Sequence, residues 1–318
     1  MPRAQLSLVC LAMSAVLSTG STRDALFGVI LIAVSATCFG AMAVLARFAY
    51  ASGADVFGLL VVRFSVATLA LAAIMWLRGT ALPPLSRVLA LAAMGGIGYV
   101  GQSYTFFSAL NHAQASLVAL LLYLYPVFVT LLAAVFLKEP LTRTTLAALV
   151  LCSLGAGLTV GGGEGSALGI ALGVASAVIY SIYIVVGARL TRGVDSLAST
   201  TVICAASGLV YIVMSTIRVQ TGTPIAFPGD AIGWAATIAI ALVSTVAAIL
   251  TFFAGLQKLG AARASMLSTI EPVVTVVLAA AVLGEHIAMS QAIGGALILA
   301  GVLWLAKPGT RVPADQEN

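Results

Sequence analysis

Unbroken apolar runs recur along the whole of this chain. Each is long enough to cross a bilayer core, which takes about 20 residues in a helix. Open sheet edges and irregular backbone cannot face lipid, so such runs must be helices or a closed barrel. The runs are continuous rather than alternating, which excludes a barrel. Composition agrees: 61% of the 318 residues are hydrophobic and 8% are charged, against roughly 25% charged in a soluble domain. The expected class is an all-α integral membrane protein whose first partner is the lipid bilayer. The formal charge of +5 does not indicate nucleic acid, because the basic residues stand singly between apolar runs instead of forming a stripe. Cys10, Cys38, Cys152 and Cys204 all lie inside apolar segments with no close pair, as small packing residues do.

Ten spans are predicted: Leu26–Ala49, Phe57–Leu77, Arg87–Leu110, Ala113–Leu137 and Thr144–Val160, then Leu168–Gly187, Leu197–Ile217, Ala231–Gly255, Ala264–Leu283 and Gln291–Leu305. Turn chemistry separates them at Ser52-Gly53, Pro83-Pro84, Asn111-His112, Glu139-Pro140 and Pro228-Gly229. The glycine-rich stretch Gly161–Gly165 is the linker between halves. This divides the chain into an N-terminal extension (1–23), a first five-helix repeat (24–162), a second (163–307) and a cytoplasmic tail (308–318). Within the extension, Ala4–Leu17 is apolar but short for a span, and no small-residue cleavage site follows it.

Lys and Arg give the orientation. With the N-terminus inside, the inner loops hold Arg23, Arg78, Arg87, Lys138, Arg143, Arg189, Arg192, Lys258, Arg263, Lys307 and Arg311, while the outer ends hold Arg47 and Arg218. Both termini are therefore expected in the cytoplasm, in a multi-pass protein of the cell (inner) membrane.

The halves repeat each other. Phe106-Phe107, Leu110, Pro126-Val127, Ala133-Ala134, Leu137, Glu139 and Gly155 return without a gap as Phe252-Phe253, Leu256, Pro272-Val273, Ala279-Ala280, Leu283, Glu285 and Gly301. Ala46-Arg47 returns as Ala188-Arg189. An odd number of helices per half requires the second copy to cross upside down. The charges follow: Lys138 and Arg143 become Gly284 and Met289, while Asn111 and Leu117 become Gln257 and Arg263. Inverted repeats around a central site are a common device of alternating-access transporters.

Two five-helix halves, each with a Pro, an apolar run, a Lys-Glu or Gly-Glu pair and a Gly-rich last helix, resemble the EamA branch of the drug/metabolite transporter superfamily. The matching stretches are Tyr125-Pro126 through Lys138-Glu139-Pro140-Leu141-Thr142, and Glu271-Pro272 through Gly284-Glu285. The resemblance spans about Ala25 to Leu305. It implies a ten-helix bundle with a central cavity and export of amino acids, other metabolites or drugs, without naming one small-molecule substrate.

Ionisable groups inside a membrane are costly and usually serve a cavity or a partner. Glu271 lies about eight residues beyond Arg263, roughly 12 Å past the inner helix end at 1.5 Å per residue. Ser268, Glu271 and Thr275 share a helical face. Glu271 is the candidate to hold and release a proton, and Pro272 frees a backbone carbonyl beside it. Its counterpart in the repeat is Tyr125. Arg63, inside the second span, either snorkels outward, binds an anionic substrate group or pairs with a carboxylate. Tyr99, Gln102 and Phe106 share one face; Ser176, Tyr180 and Tyr183 share another; Thr237, Ser244 and Thr251 form a heptad-spaced stripe. From these faces Tyr99, Gln102, Phe106, Tyr180, Tyr183 and Ser244 join Ser268 and Glu271 as candidate cavity residues. Arg47 with Glu285 outside, and Arg189 with Glu139 inside, are candidate gating ion pairs.

Gly96-Ile97-Gly98-Tyr99-Val100-Gly101 matches a dinucleotide fingerprint in letters only, since no strand precedes it. Gly169 and Gly173 form one G-x-x-x-G, a packing motif within or between chains, so the chain is read as a monomer or homodimer. His112 and His286 stand alone, and no cluster supports a metal, a cofactor or an enzyme. The rivals are a sugar-phosphate or nucleotide-sugar exchanger, which would want more than Arg63 as a deep cation, and a non-transporting membrane protein, which would leave the repeat unexplained.

Overall fold

The computed structural model describes residues 19–136, 143–259, 267–268 and 270–305. These residues are helical, with no strand among them and one isolated bridge, Ala113 to Gly165. The helices are α1 (Thr19–Gly40), α2 (Met42–Ala51), α3 (Val56–Arg78), α4 (Leu85–Ala93), α5 (Val100–Ala109), α6 (Ala115–Leu122), α7 (Tyr125–Phe136), α8 (Arg143–Gly162), α9 (Ala167–Leu190), α10 (Ser196–Gln220), α11 (Ala231–Ala241), α12 (Ala248–Leu259), α13 (Ile270–Leu283) and α14 (Met289–Leu305). Two π-helical segments, π1 (Met94–Tyr99) and π2 (Leu242–Ala247), join α4 to α5 and α11 to α12.

Helix starts follow side-chain chemistry. Asp55 caps α3 through Gly58 N at 2.7 Å, and Asp195 caps α10 through Leu197 N at 2.9 Å. Ser166 caps α9 and Asp230 caps α11 in the same way.

Six helical stretches are long and apolar enough to cross a membrane: Leu26–Ala51, Val56–Arg78, Ala115–Leu132, Ala167–Gly187, Ser196–Gln220 and Ala231–Leu256. Leu146–Gly162, Ile270–Leu283 and Met289–Trp304 are shorter apolar helices. The predicted third span, Arg87–Leu110, coincides with α4, π1 and α5 but is not among the six. Its second half carries Gln102, Ser103, Tyr104, Thr105 and Ser108. The predicted ninth span begins at Ala264, which lies outside the described residues, as do Lys138, Glu139 and Arg263.

The surface is apolar: Leu69, Trp76, Val135 and Ile97 are 70–80% exposed. Arg63, Gln102, Ser116, Ser176, Thr237, Thr245 and Gln291 are buried. Lipid is the solvent that tolerates such a surface. The chain is a multi-pass membrane protein.

The most extensive packing joins α8 to α14, α1 to α12, α3 to α10 and α5 to α9. Each pair takes one helix from each half of the chain, and one main hydrophobic core includes both halves. Small residues allow the closest approach, as in other membrane bundles. A Cβ added to Gly155 would fall 2.6 Å from the Gly294 carbonyl oxygen. Gly169 and Gly173, left between intra- and interchain roles by the sequence, pack on His112 and Leu121 of the same chain.

One end of the molecule is laced together. Ser52 Oγ accepts from Gly229 N and Asp230 N at 3.0 and 3.1 Å, and Asp55 N donates to Ala226 O at 2.9 Å. Arg218 lies 4.0 Å from Asp55, the one ion pair among the described residues. Glu285 accepts from Ala115 N at 2.7 Å, Ser116 N at 3.1 Å and Ser116 Oγ at 2.6 Å, so it caps α6 from across the molecule. Gln291 Nε2 donates to the same Ser116 hydroxyl at 3.0 Å. The opposite end displays exposed Arg78, Arg87, Arg143, Arg189, Arg192 and Lys258.

Two stability predictions follow from this packing. Gly294→Val should lower thermal stability by about 1–3 kcal/mol through overpacking, whereas Gly157→Ala, whose Cβ meets nothing within 4 Å, should be neutral or stabilising by up to about 1 kcal/mol. Thermal unfolding in detergent compares them, and equal effects would disprove the close α8–α14 seam. Glu285→Ala should cost about 1.5–3 kcal/mol, the worth of hydrogen bonds to a charged acceptor, and Glu285→Gln less; an unchanged midpoint for Glu285→Ala would remove the capping role.

Candidate functional site

Local breaks in the helices build the site. The span containing α6 and α7 is interrupted at Tyr123-Leu124, just before Pro126, which sits in the first turn of α7 where its missing N–H is tolerated. The interruption presents Tyr123 to a central cavity of about 320 Å³. Its hydroxyl shares its one hydrogen between Ser268 O at 2.6 Å and Glu271 Oε2 at 3.1 Å. Glu271 stands in the first turn of α13, which approaches the break between α1 and α2 closely: a Cβ on Gly40 would lie 2.7 Å from Glu271 O. Thr275 Oγ1 donates to Gly40 O at 2.8 Å.

Arg63 does not snorkel. It is 2% exposed in the first half of α3, where Nε donates to Thr245 Oγ1 and Nη2 to Tyr99 Oη, both at 3.1 Å. The guanidinium also lies 4.9 Å from the Phe64 ring centroid and 5.2 Å from that of Phe107. Tyr99 belongs to π1 and Thr245 to π2, so Arg63 bridges the two π segments. Such segments are frequent at functional sites.

Five tyrosines connect the two charged groups. Ring centroids run from Tyr99 to Tyr183 at 5.5 Å, to Tyr180 at 6.0 Å, to Tyr125 at 5.0 Å and to Tyr123 at 5.8 Å. Arg63 holds the first hydroxyl and Glu271 accepts from the last. Arg63 and Glu271 are the charged residues among those lining the cavity, and no ion pair joins them.

Of the candidate cavity residues, Tyr99, Gln102, Phe106, Tyr180, Tyr183, Ser268 and Glu271 line the cavity together. Ser244 does not; it is fully buried within π2 and its hydroxyl has no partner among the described residues. The other members of its stripe, Thr237 and Thr251, donate to carbonyls of their own helix. Tyr123 and Tyr125 also line the cavity, although neither is among the candidates drawn from the sequence. Tyr125-Pro126 opposite Glu271-Pro272 was the available signal.

The outer candidate gate is built differently from the expected pair. Arg47 Nη1 donates to Leu110 O at 2.6 Å, while Glu285 is engaged by α6, so the two do not form an ion pair in this structure. Arg189 is exposed near the end of α9, and Glu139 lies outside the described residues. Among the described residues no group of His, Cys, Asp and Glu could hold a metal ion.

A family profile, that of the EamA-like transporter family, matches this chain twice, over residues 26–161 and 167–307. The uncharacterized transporter YcbK of Bacillus subtilis is 25% identical over 283 residues, covering 86% of this chain and 90% of that protein. The uncharacterized transporter YyaM of the same bacterium is 27% identical over 218 residues, covering 66% and 70%. A protein of known crystal structure shares the fold with a TM-score of 0.61 at 21% identity, over 90% of this chain and 96% of its own. With both halves matched, the chain belongs to the EamA-like transporter family.

Proposed function

We propose that this chain exports small organic metabolites, such as amino acids, related compounds or drugs, by alternating access in the cell inner membrane. The observation that carries this reading is the cavity of about 320 Å³ whose wall draws on both halves of the chain and on π1. That volume suits a metabolite-sized ligand.

Several features support two inverted five-helix repeats with both termini cytoplasmic. The π segments fall in matching helices, the third and eighth predicted spans. Asp55 and Asp195 cap the matching second and seventh. Exchanging the halves turns the α1–α12 pair into α9–α5 and maps α3–α10 and α8–α14 onto themselves. The exposed arginines of the basic end favour its cytoplasmic placement. The laced end then represents a closed outer side, with Glu285 on α6 and Arg47 on Leu110 as gating contacts; Arg189 and Glu139 are their inner counterparts.

Glu271 is the proton carrier in this scheme. Its carboxylate has a phenol donor and no cation within 4.0 Å among the described residues, so its charge carries a desolvation cost that a proton removes. A sugar-phosphate or nucleotide-sugar exchanger fits less well, because a multiply charged phosphate would need further cations beside Arg63.

The first test compares metabolites in the medium of cells expressing the protein with those of empty-vector cells. One chemical class should accumulate outside, and Glu271→Gln should return it to the empty-vector level. No accumulation sinks the export reading, and wild-type export by Glu271→Gln sinks the proton role. For topology, single cysteines replacing Arg143 and His286 should react with an impermeant maleimide from opposite sides; labelling of both from one side ends the inverted-repeat model.

A further inference from the structure

Resting on the reading of the cavity as the substrate site, we infer that Arg63 is its anion-recognition group. The bound solute is an organic monoanion, a carboxylate whose flat or apolar body lies along the tyrosines.

A buried guanidinium without a counter-charge is among the most expensive groups a protein can hold. Among the described residues no carboxylate lies within 4.0 Å of Arg63. Its hydrogen-bond partners, Thr245 Oγ1 and Tyr99 Oη, are both neutral, and its remaining neighbours are the rings of Phe64, Tyr99 and Phe107. Cation–π contact and two neutral acceptors reduce the cost without cancelling the charge. Guanidinium has five donors, and two acceptors leave donors unused on a residue that lines the cavity.

A purely structural role does not account for the charge. Thr245 already bonds Ile240 O at 2.9 Å, so π2 does not need Arg63 to satisfy that hydroxyl. A neutral amide could bridge Tyr99 and Thr245 without the desolvation cost. The planar fork matches a carboxylate in a bidentate fashion, which a neutral acceptor does not exploit. Glu271 is not the missing counter-charge, since it is engaged by Tyr123 at the other end of the ladder.

The rest of the wall defines the body of the ligand. Tyr99, Tyr183, Tyr180 and Tyr125 offer ring faces and edges over successive steps of 5.0–6.0 Å. Offset or edge contacts with such rings favour a flat apolar body over a polyhydroxylated one. Among the described residues Arg63 is the one cation that lines the cavity, and one cation neutralises one negative charge, which favours a carboxylate over a phosphate dianion.

The test uses the purified full chain in detergent and thermal unfolding with matched probes. Two sets share a body and differ in charge: 3-phenylpropionate, its amide and 3-phenylpropylamine; indole-3-acetate, its amide and tryptamine. Carboxylates should stabilise the protein with apparent affinity about tenfold or more above their amides and amines. Arg63→Gln should abolish that preference. Arg63→Lys, which keeps the charge without the fork, should retain it in weakened form and covers the case in which Arg63→Gln does not fold. The inference is overturned if amides match carboxylates, if the preference survives in folded Arg63→Gln, or if no carboxylate in the panel shifts unfolding. Carboxylate binding with no export would leave this site standing and remove the transport reading. Export of neutral or cationic compounds with no carboxylate binding would do the reverse.

Discussion

Lipid offers the backbone no hydrogen-bond partner, so a helix that departs from α geometry inside the apolar zone must be covered by another part of the protein. Here the covering groups come largely from the opposite half. Thr275 bonds the Gly40 carbonyl where α1 breaks, and Ser207 bonds Gly95 O within π1 at 3.0 Å. Tyr211 bonds Val100 O just beyond it at 2.9 Å. In return, Ser35 bonds Ala248 O beside π2 at 2.7 Å, and Tyr123 bonds Ser268 O. These breaks within the described helices are thus satisfied by reciprocal donation between the halves. The cost of unsatisfied groups ties the two halves into one folding unit.

The interlaced packing bears on motion as well. Because α1 packs on α12 and α13 while α9 packs on α5, α6 and α7, any rigid body within this bundle contains helices from both halves. A movement that simply separated residues 24–162 from 163–307 would tear apart its most extensive contacts. Under the alternating-access proposal, rocking would instead run along lighter seams between such mixed groups.

Much of the helix layout was legible because apolar length is what lipid selects. Phe57–Leu77 became Val56–Arg78, and Ala231–Gly255 became α11, π2 and α12. Tyr99, Gln102 and Phe106, which helical spacing puts on one face, all line the cavity. The breaks were not legible. Leu-Val-Ser-Thr-Val-Ala in π2 has the composition of an ordinary span, and the turn at Tyr123-Leu124 lies in an unbroken apolar run. The depth of Arg63 was visible, but its fate depended on α3 being central, which packing alone decides. Glu285 and Arg47 have opposite charges at one end of the molecule, yet bare N–H groups at the start of α6 take the carboxylate first. Linear charge reasoning does not count those backbone competitors.

The tyrosine ladder has an optical consequence. Five of the eight tyrosines line the cavity, whereas the three tryptophans, Trp76, Trp234 and Trp304, are 80%, 39% and 39% exposed on the outer surface. Apart from Tyr104, which is 38% exposed, the two chromophores are therefore partitioned by environment. Ultraviolet difference spectra in the tyrosine band observe the interior, while tryptophan emission observes the surrounding lipid or detergent. The unaltered protein carries a separate intrinsic reporter for each of its two solvents.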